Sequence, residues 1–282
     1  MRWLRKNFIG IFAILVLIYL FIPIAVIMVL SFNNPVGKFN LSWNEFSTDA
    51  WTGLCDVPGV CSSFVKSVEI GLMSTLFATI LGTMISFALV RYRFRGRSTT
   101  NLLIFLPMAT PEVVMGASLL ALFLNMKFPL GILTITVAHI MFIISFVVVT
   151  VKARLQGMDP RLEEAARDLY AGPRAVFRYV TFPLVLPGIL GAALLGFSLS
   201  FDDFIISYFN AGTMVTFPIF IWGAAQRGIP VQVNALATLV FLIALAIVLG
   251  GQFVNYRRRK KLEAPLAVPS APPMVADAMS RS

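Results

Sequence analysis

Four stretches of this chain, residues 8–30, 70–90, 128–151 and 234–253, contain no Asp, Glu, Lys or Arg. Each is about 20 residues or longer, and a helix rising ~1.5 Å per residue needs about 20 apolar residues to cross a bilayer. In hydrocarbon every backbone N–H and C=O must be satisfied within the protein, so a run of this kind is a helix or is not in the membrane. Residues 101–124 and 180–208 are as apolar but carry Glu112 and the pair Asp202/Asp203 respectively. Six spanning helices are expected, at about 8–30, 66–90, 101–124, 129–151, 180–208 and 233–254, forming an all-α membrane protein over residues 1–261. A chain of 282 residues is long enough for two soluble domains, but only 13% of it is charged, against ~25% in a soluble domain. The first apolar run exceeds a signal-peptide core and lacks a following small-residue cleavage site, so it is read as a retained span. Residues 262–282 are rich in Ala and Pro without an apolar period, and a disordered cytoplasmic tail is expected there.

The net charge of +10 would suit nucleic acid, but its distribution excludes that class. Arg2, Arg5 and Lys6 precede the first span. Arg91, Arg93, Arg95 and Arg97 fill the second loop, and Lys152, Arg154, Arg161, Arg167, Arg174 and Arg178 fill the fourth. Arg257 to Lys261 follow the last span, whereas the alternate loops hold only Lys38, Lys66, Lys127 and Arg227. Cytoplasmic loops carry the excess of Lys and Arg, so both termini are expected inside a bacterial inner membrane. Cys55 and Cys61 then fall in the first outward loop, where either a disulfide or two unpaired thiols fits.

Between the fourth and fifth spans lies a short amphipathic segment. Asp159-Pro160 is a helix start, since the carboxylate caps free N–H groups and proline tolerates the first turn. Leu162, Ala165, Ala166 and Leu169 recur at i, i+3, i+4 and i+7 to form one apolar stripe, with Glu163 and Arg167 as an i,i+4 pair beside it. Gly172-Pro173 ends the helix, which is expected over about 160–172. A stripe containing small alanines suits a protein cleft better than lipid insertion, which favours Trp, Phe and Leu.

Glu164-Ala165-Ala166, Gly172 and Val180-Thr181-Phe182-Pro183 together resemble the EAA loop of ABC importer permeases. That pattern is departed from at Tyr170, which stands where its glycine falls, and at Val180 and Phe182. Arg91-Tyr92-Arg93-Phe94-Arg95-Gly96, Thr110-Pro111-Glu112-Val113-Val114-Met115, Ser200-Phe201-Asp202-Asp203 and Val233-Asn234-Ala235-Leu236-Ala237-Thr238 are similar to segments of the second permease subunit of spermidine/putrescine importers. The resemblance implies the type I importer permease fold, a six-helix bundle with a cytoplasmic coupling helix. It also implies a second homologous permease, two ATP-binding-cassette ATPase subunits and an extracytoplasmic solute-binding protein as partners. Glu163, Glu164, Ala165, Ala166, Asp168, Leu169, Tyr170 and Gly172 are the expected ATPase-coupling residues. No cofactor is expected on this chain, with ATP and Mg at the partner ATPases.

The intramembrane acids are the candidate substrate path. A carboxylate at the centre of a spanning helix costs ~2.5–3.5 kcal/mol, so Asp202, Asp203 and Glu112 are not expected to face lipid. Adjacent residues point ~100° apart on a helix, so at most one of Asp202 and Asp203 aims down a passage. The other is expected to pair with a neighbouring helix or subunit. Glu112 follows Pro107 and Pro111, which remove backbone donors, and broken helix at this depth is tolerated only within protein or beside a watery cavity. A partly electronegative passage suits a small polycation. The alternative is that these acids fix helix packing or pair with an arginine of the second permease. His139, the chain's one histidine, is expected to hydrogen-bond a neighbouring helix. Gly71, Gly82, Gly191 and Gly196 are expected to let helices approach closely.

No phosphate-cradling G-x-x-x-x-G-K-[ST] loop, zinc-ligand cluster or nucleophile elbow occurs in the sequence. A transport subunit driven by partner ATPases is therefore the leading expectation, with polyamines or another small amine or organic solute as cargo. A self-sufficient ion-coupled carrier relaying through the three acids is the competing class.

Overall fold

The computed structural model describes residues 2–262, and the tail expected beyond them lies outside the described residues. The chain divides into two compact units, Met1–Ala235 and Leu236–Ser282. In the first, α1 (Arg2–Leu30) precedes an outer segment with the short α2 (Asp49–Thr52), then α3 (Val60–Arg91). Helices α4 (Arg97–Ala109) and α5 (Glu112–Asn125) follow, then α6 (Ile132–Gln156), α7 (Arg161–Asp168) and α8 (Pro173–Val176). A π-helical turn, Phe177–Thr181, leads directly into α9 (Phe182–Asp202), followed by α10 (Ile205–Asn210) and α11 (Phe217–Arg227). Helix α12 (Val231–Leu262) crosses the boundary and supplies the described part of the second unit.

Five helical stretches are long and apolar enough to cross a membrane, and the α4–α5 pair makes a sixth if it is one span. The chain is therefore an all-helical, multi-pass membrane protein. The third span, expected over 101–124 with an interruption near Pro107 and Pro111, is two helices meeting at 105°. Proline disfavours helical backbone in the residue before it, and Thr110 is extended at φ −80°, ψ 132° ahead of Pro111. The fifth span starts earlier than 180, because Pro173–Asp202 is continuous through the π-turn, and it breaks after Asp202 rather than running to 208.

The core is where α3, α6 and α9 meet. Ala78, Ile143, Val147, Val151, Val185 and Ala192 are buried within it. Small residues set the approach, as van der Waals packing in a membrane requires. A Cβ on Gly82 would stand 2.6 Å from Val147 Cγ1, and one on Gly196 would stand 2.6 Å from Ile143 Cγ2. Gly191 departs from expectation, since a Cβ there meets nothing within 4 Å. Helix α1 is exposed along its spanning stretch.

The outer segment is ordered by its own polar groups. Asn33 donates to Asn40 Oδ1 at 2.6 Å and to Ser42 O at 2.8 Å, and accepts from the Asn44 N–H at 2.8 Å. Phe32 stacks on Phe46 and Trp51 at centroid distances of 5.9 and 5.1 Å. Cys55 and Cys61 form a disulfide, with Cα atoms 5.3 Å apart, that staples this segment to the first turn of α3.

Candidate functional site

Two regions gather the candidate residues, one at the breaks in the bundle and one around α7. The break after α9 separates the paired acids. Asp202 is exposed, while Asp203 is buried at 7% exposure. A buried carboxylate needs hydrogen-bond donors, and Asp203 has them. It accepts from the Ser207 N–H at 2.8 Å and the Ile206 N–H at 3.4 Å, satisfying the free first turn of α10. His139 Nε2 lies 3.3 Å from Asp203 Oδ2 and 3.0 Å from Ser207 Oγ. On its other side His139 Nδ1 meets Ser200 Oγ at 2.6 Å, and Ser200 meets Ser74 Oγ at 2.9 Å. This network ties α3, α6, α9 and α10 together across the break. His139 thus bonds to neighbouring helices, and Asp203 is the acid that pairs inward.

Asp202 lines a cavity of about 420 Å³ with Phe201, Phe204, Phe217, Pro218, Ile221 and Trp222. The rings are mutually packed: Phe204 lies 5.2 Å from Trp222 and 5.4 Å from Tyr208, and Phe201 lies 5.6 Å from Phe64. Glu112 is exposed in the first turn of α5, and one turn further on Asn210 Nδ2 of α10 donates to Gly116 O at 3.3 Å. The helix that starts after the first break is thus bonded to the helix that starts after the second. A carboxylate framed by aromatic faces is chemistry for an organic cation, drawn by charge and by ring quadrupoles together. The aromatic wall was not singled out among the candidate residues. The spacing of Phe201, Phe204 and Tyr208 was visible, but α11 is brought to them only by the fold.

Helix α7 is shorter than the expected 160–172. Asp159 Oδ1 accepts from the Arg161 N–H at 3.0 Å at its start. It ends at Asp168, with the Tyr170 N–H bonded to Arg167 O at 2.9 Å and the Ala171 N–H to Ala166 O at 3.1 Å. These are the paired bonds of a Schellman ending, which places Tyr170 where glycine is the default. Its backbone is left-handed, at φ 59°. For an L-residue with a Cβ that conformation costs roughly 1–2 kcal/mol. Gly172 stands at the cap of α8 in extended conformation and does not end α7.

Helix α7 is exposed on both its apolar and its charged faces, with Glu163 as its buried residue. Its apolar stripe points out, with Leu162 47%, Leu169 82% and Tyr170 99% exposed. Glu164, Ala165 and Asp168 are exposed beside them. Glu163 points inward at 6% exposure. Its carboxylate is gripped by Arg91 at the end of α3, with Nη1 to Oε2 at 2.7 Å and a second contact from Nη2 to Oε1. It also accepts from Thr181 Oγ1 of the π-turn at 2.7 Å. Hydrogen bonding from Arg91 holds the Glu163 carboxyl below its ordinary pKa of 4.5, against desolvation, with help from the Thr181 hydroxyl and the Arg91 and Arg167 charges. Arg167, the expected helical partner, acts only through its field. Arg91 and Thr181 lie within segments that carry the family resemblance, but the sequence pattern did not pair either with Glu163.

Residues 74–261 match the family model described as binding-protein-dependent transport system inner membrane component. The chain is 36% identical over 245 residues to the spermidine/putrescine transport system permease protein PotC of Haemophilus influenzae, covering 86% of this chain and 95% of that protein. It is 35% identical over 230 residues to the putrescine transport system permease protein PotI of Escherichia coli K12, covering 79% and 81%. Among solved structures, a bacterial alginate ABC transporter in complex with an alginate pentasaccharide-bound periplasmic protein aligns at TM-score 0.62 and 14% identity, over 94% of this chain and 99% of that one. The methionine ABC transporter MetNI, in an inward-facing form, aligns at TM-score 0.57 and 16% identity, over 70% and 95%. With its helical bundle, its broken spans and a family match over two thirds of its length, the chain belongs to the binding-protein-dependent inner membrane components, the non-catalytic permease subunits of ABC importers.

Proposed function

We propose that this permease carries polyamines such as spermidine and putrescine across the bacterial inner membrane, forming half of the passage with a second, similar permease. The observation that carries the reading is Asp202, an exposed carboxylate at a helix break, set in an aromatic-lined cavity. An alkyl ammonium gains there from charge and from ring faces, and a flexible polycation is handed along rather than held. The cargo named for the polyamine permeases that the chain resembles supports the same assignment.

The chain lies with both termini in the cytoplasm, as its loop charges favour, and the disulfide-stapled segment faces outward, where an oxidising compartment maintains it. A solute-binding protein delivers cargo to that outer face. Of two ATPase subunits, holding ATP and Mg, one docks on the outward-turned apolar stripe of α7 and the other on the second permease. Glu163 passes their movement to α3 and α9, because one carboxylate is bonded to the last residue of one span and the entry turn of the other.

The test is ATP hydrolysis by the reconstituted complex with its binding protein, measured with spermidine, putrescine and neutral amides of matched length. Stimulation by the polyamines alone is expected. Stimulation by a neutral solute alone would overturn the cargo, and uptake by this chain alone under a proton gradient would overturn the class.

A further inference from the structure

We propose that Tyr170 is a pairing determinant, a ring anchor that seats in an apolar recess of the cognate ATPase subunit and selects partners able to accept an aromatic side chain. The proposal rests on the docking of α7 described above and names the residue that gives that docking its selectivity.

Two costs fall on the same residue. The Schellman ending needs left-handed backbone at this position, and glycine is the residue that adopts it freely. Tyr170 adopts it at φ 59°. The turn is closed by backbone bonds from Tyr170 and Ala171 to Arg167 and Ala166, so the side chain contributes nothing to it. The ring is 99% exposed and so has no packing inside the chain to offset the strain. Strained backbone that local contacts do not require points to a role outside the fold.

The surroundings indicate what covers the ring. Leu169 is 82% exposed next to it, and Leu162 extends the apolar surface along α7. The exposed carboxylates of Glu164 and Asp168 flank that surface together with Arg161 and Arg167. These four charges cancel, so the surface lacks the basic excess that draws a helix to anionic headgroups, whereas a protein recess rimmed by charges of both signs complements all four. The occupant is therefore a soluble protein, with tyrosine as the kind of rigid, amphipathic anchor that dominates interface energetics.

The experiment uses the full complex in lipid nanodiscs, with Tyr170→Gly, Tyr170→Phe and Leu169→Asp, and with a photoreactive benzophenone amino acid at position 170. Tyr170→Gly is expected to raise the melting temperature of the permease by relieving the backbone, yet to weaken ATPase association by about ten-fold or more. Tyr170→Phe keeps association, and the benzophenone crosslinks to the ATPase. Opposite signs for stability and association separate an anchor from a merely structural residue. Undiminished association of Tyr170→Gly, or crosslinks to lipid or to the second permease, would overturn the proposal. If Leu169→Asp still abolishes association in that case, the docking of α7 stands without the tyrosine anchor. If neither variant changes association, the docking reading falls with it.

Discussion

Arg91 and Glu163, 72 positions apart, form a two-pronged ion pair that fastens α7 to the last residue of α3. Thr181 adds a bond from the π-turn that opens the fifth span, so one carboxylate joins three elements. A π-turn inside a helix is rare and concentrates at functional sites. Here it lies where motion of α7 would enter a spanning helix.

Glu163→Gln should therefore loosen α7 without unfolding the bundle. One carboxylate oxygen becomes an amide NH2 that cannot accept from Arg91, leaving a single uncharged acceptor, at a cost of about 1–3 kcal/mol, softened because Arg91 is 38% exposed at its side chain. The expected result is an assembled complex that hydrolyses ATP but moves fewer solute molecules per ATP. Transport per ATP is measured in proteoliposomes, and an unchanged ratio would remove Glu163 from the load path.

The same carboxylate sets an acid limit. Its folded pKa lies below the ordinary 4.5, so the unfolded chain binds more protons in that range. The stabilisation is complete above pH 4.5 and is lost as pH falls through the depressed folded value. Melting temperature of the nanodisc-embedded protein should decline below pH 4.5, and less of that decline should remain in Glu163→Gln.

The spans and the short amphipathic helix were legible in the sequence, because a charge-free run of ~20 residues admits few structures in a membrane and a polar segment with its own apolar stripe stands out between two such runs. The breaks were only partly so. Pro111 announced an interruption, but not that α4 and α5 would meet at 105°. The end of α9 carries no proline at Asp202–Asp203, and the break there is held by donors from α10 and by His139 of α6, which adjacency in sequence does not encode. Glu163 was assigned to an i,i+4 partner for the same reason. Local spacing favoured Arg167, and the tertiary bonds to Arg91 and Thr181 replaced it.

The stapled outer segment offers a test of sidedness. Opening the Cys55–Cys61 loop by substituting both with Ser should cost about 2 kcal/mol in the chain-entropy account. In intact spheroplasts, a membrane-impermeant reductant followed by an impermeant maleimide should label the pair. Labelling only after permeabilisation would place the segment, and with it both termini, on the opposite faces.

Helix packing makes a paired prediction. Gly82→Ala and Gly196→Ala place a Cβ 2.6 Å from Val147 and Ile143, and overpacking in a filled core costs roughly 1–3 kcal/mol. Gly191→Ala meets nothing within 4 Å and should gain up to ~1 kcal/mol of helix propensity. Thermal unfolding of the three variants in one detergent compares them directly, and equal losses at all three would contradict the close approach of α3, α6 and α9.

Asp202 and Asp203 are adjacent but should fail differently. Asp202 faces the aromatic cavity, so Asp202→Asn removes attraction for a cation without disturbing a bonded group. Uptake of spermidine should slow about ten-fold or more, with the complex still assembling at normal yield. Asp203 is buried between two backbone donors and His139, and its amide replacement can accept through only one oxygen. Asp203→Asn should therefore lower melting temperature by several degrees, consistent with ~1–3 kcal/mol for a bond lost in a buried network. His139→Gln, which keeps a donor near Asp203, should lose less stability than His139→Leu. Uptake and unfolding measured on the same preparations separate the two roles. If Asp202→Asn transports normally while Asp203→Asn stays stable and loses uptake, the cargo-facing carboxylate is the buried one, and α10 must swing away from α9 to present it.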